Sequence, residues 1–142
     1  MNNSDGLKLE NQLCFPLYAC SKEIIKVYKP YLDKIDLTYT QYITMMVLWE
    51  ENNINVKNLG KKLFLDSGTL TPLLKKLESK GYIERTRLTT DGRNLILSIT
   101  EKGKKLKEKA KNIPIEVGKC LNIEKEEAII LYQILYKILR KK

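Results

Sequence analysis

The stretch LDSGTLTPLLKKLESKGYIERTR, residues 65–87, holds a helix start, an apolar helical stripe, a stop and the beginning of a strand. Asp66, Ser67, Gly68 and Thr69 are all residue types that cap helix N-termini. Leu70, Leu73, Leu74 and Leu77 then recur at the spacing of three and four that places them on one helical face. Gly81 suits the left-handed position that ends a helix. Pro72 leaves two starts open. A helix from Ser67 carries the proline awkwardly inside it, whereas one from about Leu70 makes its missing N–H harmless. After Gly81 the period changes. Tyr82 to Leu88 and Asn94 to Ile99 read as two strands joined around Thr90-Asp91-Gly92, with Asp-Gly as the hairpin signal.

Outward from this stretch the chain is helical. Upstream, a short helix fits Val56 to Phe64, capped by Asn55, with Leu59 and Leu63 on one face. Before it a helix runs from about Tyr39 to Glu50. Thr38 and Gln41 form a capping box there, and Ile43, Met46, Val47 and Trp49 supply its apolar residues. The first helix begins near Cys14 with Pro16 in its first turn. Leu17, Ile24, Tyr28 and Tyr31 follow at helical spacing, and Pro30 marks a kink or an end nearby. Downstream, Thr100 caps a lysine-rich fifth helix that Pro114 and Gly118 interrupt. Asn122 starts a last helix through Ile130, Ile134, Leu135 and Ile138. The order is α-α-α-α-β-β-α-α, mainly helical with one small hairpin, in a single domain spanning 1–142. The terminal helices are too apolar along one stripe to stand exposed on a monomer, so a symmetric homodimer built from them is expected.

Composition narrows the function. The chain has 142 residues, 43% hydrophobic and 30% charged, which suits one globular domain. Its N-terminus lacks the apolar segment of a signal peptide, and the longest apolar run, Ile43 to Trp49, falls far short of the roughly 18 residues that span a bilayer. A cytoplasmic protein without membrane contact is expected. The net charge of +9 is unevenly spread. Residues 1–56 carry 5 basic and 7 acidic side chains, residues 57–93 carry 9 and 4, and residues 94–142 carry 12 and 6. A polyanion would therefore meet the chain from its middle onward. There are three cysteines and no histidine. Histidine-dependent catalysis and mixed Cys/His zinc sites are thereby excluded, and three scattered cysteines without C-x-x-C make neither a disulfide framework nor a metal cage. No cofactor, no metal and no enzymatic activity are expected.

Two short helices separated by a tight turn and followed directly by a basic hairpin constitute a winged helix-turn-helix. The second helix presents Ser67, Thr69 and Thr71 near its N-terminus, where free N–H groups and the helix dipole favour phosphate. These side chains are placed to reach phosphates or base edges in the major groove of double-stranded DNA. Lys75 and Lys76 follow one to two turns later, suited to backbone contact. Arg85, Arg87 and Arg93 bracket the hairpin, whose tip suits a minor groove. Each feature alone reads more readily as a cap or a solvated face; their order and spacing together reverse that and point to DNA.

This region closely resembles the MarR family. Residues 65–87 look like its recognition helix and first wing strand, and DGRNLILSITEKG, residues 91–103, like its wing signature. The resemblance implies that Asp91 braces the wing and Arg93 makes a minor-groove contact. It extends from about Lys8 to the C-terminus. It also implies dimerisation helices at about 13–31, 101–117 and 123–140 flanking a winged helix-turn-helix at about 38–100, and an inverted-repeat operator with half-sites about one helical turn apart.

The segment KLENQLCFPLYACSKEIIKVYKPYLDKI, residues 8–35, is similar to the organic-hydroperoxide-responsive branch of that family, which carries a peroxidatic cysteine in an L-C-F-x-L-Y motif. Cys14 matches that cysteine, with Phe15 beside it and Tyr18 as the motif tyrosine. Tyr28 and Tyr39 match tyrosines that hydrogen-bond the cysteine from the partner subunit. The chemistry is coherent without the family. A thiol at a helix N-terminus gains thiolate character, thiolates are what peroxides oxidise, and phenols donate hydrogen bonds while their rings make an apolar pocket. On chemistry alone a buried cysteine among core aromatics is the stronger reading; the motif reverses it. Cys20 reads as structural. Cys120, following Pro114, is the candidate resolving thiol, with capping by a low-molecular-weight thiol equally open. The alternatives are a regulator of this family that responds to a small phenolic ligand without cysteine oxidation, a thiol peroxidase, and a non-specific basic nucleic-acid binder.

Overall fold

The computed structural model describes residues 5–87 and 95–140. Two short 3-10 turns lead into α1 (Cys14–Asp33) and α2 (Tyr39–Glu51). Then come β1 (Asn53–Asn55), α3 (Val56–Leu63), α4 (Ser67–Ser79), β2 (Ile83–Arg87) and β3 (Leu95–Ile99). Three helices close the chain, α5 (Glu101–Ala110), α6 (Ile113–Cys120) and α7 (Lys125–Leu139).

Local side-chain chemistry sets most of the starts. Thr38 Oγ1 accepts from the Gln41 N–H at 3.3 Å while Gln41 Oε1 accepts from the Thr38 N–H at 3.0 Å, a complete capping box for α2. Asn55 caps α3 through the Asn58 N–H at 2.7 Å, and Thr100 caps α5 through the Gly103 N–H at 3.0 Å. Asp66 accepts from the Thr69 N–H at 2.8 Å, so α4 begins at Ser67 and carries Pro72 inside it. Pro72 there forgoes the one helical hydrogen bond that it cannot donate. At the other end Gly81, at φ +83°, lets its own N–H and that of Tyr82 return to the carbonyls of Glu78 and Leu77.

The order differs from the expected string in several places. Residues 53–55 add a strand before α3. Pro30 lies inside α1, which ends three residues later at Asp33, as the proline suggested. Pro114 sits in the first turn of a separate helix, α6, where its missing N–H costs nothing, and Gly118 lies inside that helix without breaking it. Asn122, at φ 51°, precedes the last helix, which starts at Lys125 behind a box formed by Glu124 and Glu127.

The sheet has strand order β1-β3-β2, antiparallel throughout, with Ile54 opposite Leu97 and Ile83 opposite Ile99. Its inner face and the helices enclose a core of Leu32, Leu37, Tyr42, Met45, Leu48, Leu59, Leu74, Leu77, Ile83, Leu97, Leu106 and Val117. Helix α2 turns Tyr42, Met45 and Leu48 inward rather than the expected Met46, which is exposed. Trp49 Nε1 donates to the Gly103 carbonyl at 2.9 Å and fixes α2 to α5. By contrast, Phe15, Leu17, Tyr18 and Ile25 of α1 and Ile129, Ile130, Ile134 and Ile138 of α7 stand exposed on the isolated chain. Among the described residues no helix is long and apolar enough to cross a membrane.

Candidate nucleic-acid interface and thiol sensor

Helix α4 divides its faces cleanly. Leu70, Leu73, Leu74 and Leu77 are buried, and the opposite face leaves Ser67, Thr69, Thr71, Lys75 and Lys76 exposed. The Thr69 N–H holds the Asp66 carboxyl below its ordinary value, so the cap stays ionised at neutral pH. The Thr71 hydroxyl donates back to the Ser67 carbonyl at 2.8 Å, which commits its proton to the helix. Thr69 is exposed, and its side chain as well as its backbone N–H hydrogen-bonds the Asp66 carboxylate. The two wing-strand arginines part company. Arg87 is exposed, whereas Arg85 is gripped by Glu78 through Nε at 3.1 Å and Nη2 at 2.8 Å, with its backbone N–H on the second carboxylate oxygen. That fork joins α4 to β2 and holds the Glu78 carboxyl below its ordinary value. Arg85 therefore braces the strand at the angle from which Arg87 extends. Asp91 and Arg93, with the hairpin turn, lie outside the described residues.

Cys14 is the first residue of α1 and is exposed, with Phe15 and Tyr18 exposed beside it. Lys22 Nζ stands 5.2 Å from the Tyr18 ring centroid. The other two tyrosines expected around the thiol form a separate cluster. The Tyr28 and Tyr39 ring centroids are 4.9 Å apart, and Tyr42 joins them at 5.8 and 6.2 Å. Burial raises the Tyr28 and Tyr39 phenols above their ordinary value and lifts Tyr42 to about 12, so all three remain protonated donors at neutral pH. Fourteen residues of helix separate Cys14 from Tyr28, about 21 Å along the axis at 1.5 Å per residue. One chain therefore keeps the Cys14 thiol apart from the Tyr28, Tyr39 and Tyr42 phenols. Cys20 is exposed on α1. Cys120 is also exposed; its Sγ lies 3.9 Å from the Tyr31 hydroxyl and 3.4 Å from the Glu116 carbonyl. Tyr31 is about 25 Å along α1 from Cys14, so these two cysteines cannot pair within one chain.

The transcriptional regulator SarA/Rot family matches residues 26–110, more than half of the chain. The organic hydroperoxide resistance transcriptional regulator of Bacillus subtilis (strain 168) is 50% identical over 133 residues, covering 94% of this chain and 88% of that protein. The chain is a MarR-family regulator. The HTH-type transcriptional regulator SarZ of Staphylococcus saprophyticus is 52% identical over 133 residues, covering 94% of this chain and 91% of its own length. Among solved structures, reduced AbfR bound to DNA superposes with a TM-score of 0.77 at 32% identity, covering 98% of this chain and 97% of that one.

Three features of this MarR-family regulator escaped the sequence. Tyr42 belongs to the tyrosine cluster, and its place three residues after Tyr39 on the same helix is the signal that would have found it. The Glu78–Arg85 fork joins residues on different elements, so no periodicity announces it. Lys80 looks like one more surface lysine, yet it reaches across to Gln41 and Asp36.

Proposed function

We propose that this regulator is a cytoplasmic homodimeric repressor that holds an inverted-repeat operator while Cys14 is reduced and releases it when organic hydroperoxide oxidises Cys14. The observation that carries the reading is the division of the sensor. An exposed thiol opens α1, and the protonated phenols that suit it stand about 21 Å away on the same chain, so the pocket is completed across a dimer interface. There Tyr28 and Tyr39 of a second copy donate to the Cys14 thiolate, and their rings with Phe15 and Tyr18 accept the apolar part of the peroxide.

The thiolate sulfur attacks the terminal oxygen of the hydroperoxide. A sulfur–oxygen bond forms, the O–O bond breaks, and the departing alkoxide takes a proton to leave as the alcohol. The sulfenic acid then meets a second thiol, which displaces its oxygen as water and forms a disulfide. That thiol is Cys120 of the second copy or a low-molecular-weight thiol; the distance along α1 rules out Cys120 of the same chain. Thr69 and Ser67 lie in the major groove, Thr71 supports them, and Lys75 and Lys76 meet phosphates. Arg87 and Arg93 serve the wing, which Asp91 braces.

Mass spectrometry of Cys14 after cumene hydroperoxide, beside an operator-binding titration, tests the reading. Oxidation should appear on Cys14 first and parallel operator release, and Cys14→Ser should bind operator yet ignore peroxide. Release from Cys14→Ser by peroxide would overturn the sensing assignment and leave DNA binding standing.

A further inference from the structure

One side chain joins the end of the recognition helix to the tyrosine end of α2. Lys80 is the C-cap residue of α4. Its ammonium donates to the Asp36 carbonyl, donates to Gln41 Oε1 at 3.3 Å, and stands 3.5 Å from Asp36 Oδ2. Gln41 Oε1 is shared, since it also accepts the Thr38 N–H that closes the α2 capping box. Gln41 is 3% exposed and, with Thr44, one of two buried polar side chains among the described residues. Asp36 occupies the α1–α2 joint at φ 54°, and Tyr39 sits between Thr38 and Gln41 in the first turn of α2. The Lys80 carbonyl in turn accepts from Lys102 Nζ of α5 at 2.8 Å.

We propose that Lys80 is a positioning residue that couples the packing of the tyrosine cluster to the placement of α4 on DNA. The proposal rests on the reading that Tyr39 repacks during the switch. A lysine at a helix C-terminus is ordinarily stabilised by the dipole while its head remains in water. Here the head crosses to another element, and the side chain is only 27% exposed. When Tyr39 repacks, the first turn of α2 and the α1–α2 joint move, carrying Gln41 Oε1 and the Asp36 carbonyl with them. Breaking the contact would strip a partly buried ammonium of its acceptors and leave the buried Gln41 amide oxygen with the Thr38 N–H alone, which is costly. The contact instead holds, and α4 follows as a rigid rod. A small displacement at its C-terminal end then alters how both recognition helices of a dimer meet the two half-sites. This is a physical link between two packed elements, and its coupling energy is measurable.

A double-mutant cycle on the full-length reduced protein measures it. Operator affinity is determined for the wild type, Tyr39→Ala, Lys80→Met and the double variant, with thermal unfolding confirming that each is folded. The combined loss should fall short of the product of the single losses by about fivefold or more, because contacting residues in one network do not add. Agreement with the product within about twofold would overturn the proposal. Should Lys80→Met not fold, Lys80→Gln, too short to reach Asp36, takes its place in the cycle. A second arm follows peroxide. Lys80→Met should oxidise at Cys14 at the wild-type rate yet lose about tenfold less operator affinity on oxidation, and Lys80→Arg, which retains donors, should restore the response. A full wild-type release from Lys80→Met would overturn the coupling. Failure of the wild type to release on Cys14 oxidation would overturn the sensing reading, and the cycle would still judge Lys80 by itself.

Discussion

Gly103 has no room for even one carbon. A Cβ built on it would stand 2.3 Å from the Tyr82 carbonyl oxygen and 2.8 Å from Ile99 Cγ1, and its own carbonyl is fixed by the Trp49 indole. Since the obstacle is backbone, Gly103→Ala should destabilise the fold by about 1–3 kcal/mol, read as a lower urea midpoint at unchanged slope. The Glu78–Arg85 fork is worth less. The Glu78 side chain is 37% exposed, so solvent screens the pair, and Glu78→Gln should cost under about 1 kcal/mol at pH 7. Its pH dependence has a definite sign. Arg85 depresses the carboxyl below its ordinary 4.5, so the stabilisation is complete above that value and disappears as pH falls through the folded-state value. Wild type and Glu78→Gln should therefore differ in denaturation midpoint at pH 7 and converge as pH falls below the folded-state value of the Glu78 carboxyl. A difference that survives at low pH would show that the glutamine disturbs packing rather than charge. In the sequence Arg85 is one of three arginines bracketing a hairpin, all equally available to DNA. Its capture by Glu78 depends on how tightly Gly81 folds β2 back on α4, and that closeness is tertiary.

At the scale of elements, every cap but that of α7, where Glu124 and not Asn122 opens the helix, was legible because each is decided within four residues. Thr38 with Gln41, Asn55, Thr100 and the glycine after α4 all act where their chemistry placed them. Strand β1 was not legible. Its three residues are too few for a period, and Asn-Ile-Asn pairs with β3 only because α2 and α3 deliver it to that edge. Pro114 shows the same limit, for a proline that ends one helix and one that opens the next look alike until the chain direction is known. The recognition helix offers a sharper test of how its exposed face divides labour. Thr69→Ala should lower affinity for particular base-pair variants of the operator by about tenfold and leave others unchanged, because an edge-reading contact is specific. Lys75→Ala should weaken all sequences alike and reduce the slope of log affinity against log salt by about 1. Equal, sequence-independent losses from both would place the base-reading surface elsewhere on α4.

Over the whole molecule, two faces lack a partner within the described chain. Helix α7 contributes no buried residue among the described residues although Ile129, Ile130, Leu131, Tyr132, Ile134 and Ile138 lie along it, and α1 exposes Phe15, Leu17 and Tyr18. The resemblance implied that the first helix serves dimerisation, and Leu32 is the one residue of α1 that the isolated chain buries. Burying such a surface against a second copy supplies the association energy at about 25 cal/mol per Å² of apolar area, less the cost of ordering. Under the proposed function the same association sets the distance between two recognition helices and completes the pocket around Cys14. Ile134, 49% exposed near the middle of α7, is the position to break it. A glutamate there remains solvated on a monomer and becomes a desolvated charge at an apolar interface. Ile134→Glu should thus give a folded monomer by light scattering at micromolar concentration, with a helical circular dichroism signal close to wild type. Operator affinity should fall by a hundredfold or more, about 2.7 kcal/mol, because one half-site is then bound without the other. Peroxide should oxidise Cys14 of this variant more slowly, since no second copy supplies Tyr28 and Tyr39. A variant that remains dimeric and binds operator normally would move the interface off α7; a monomer whose Cys14 oxidises at the wild-type rate would show that the phenols of the partner play no part in activating the thiol.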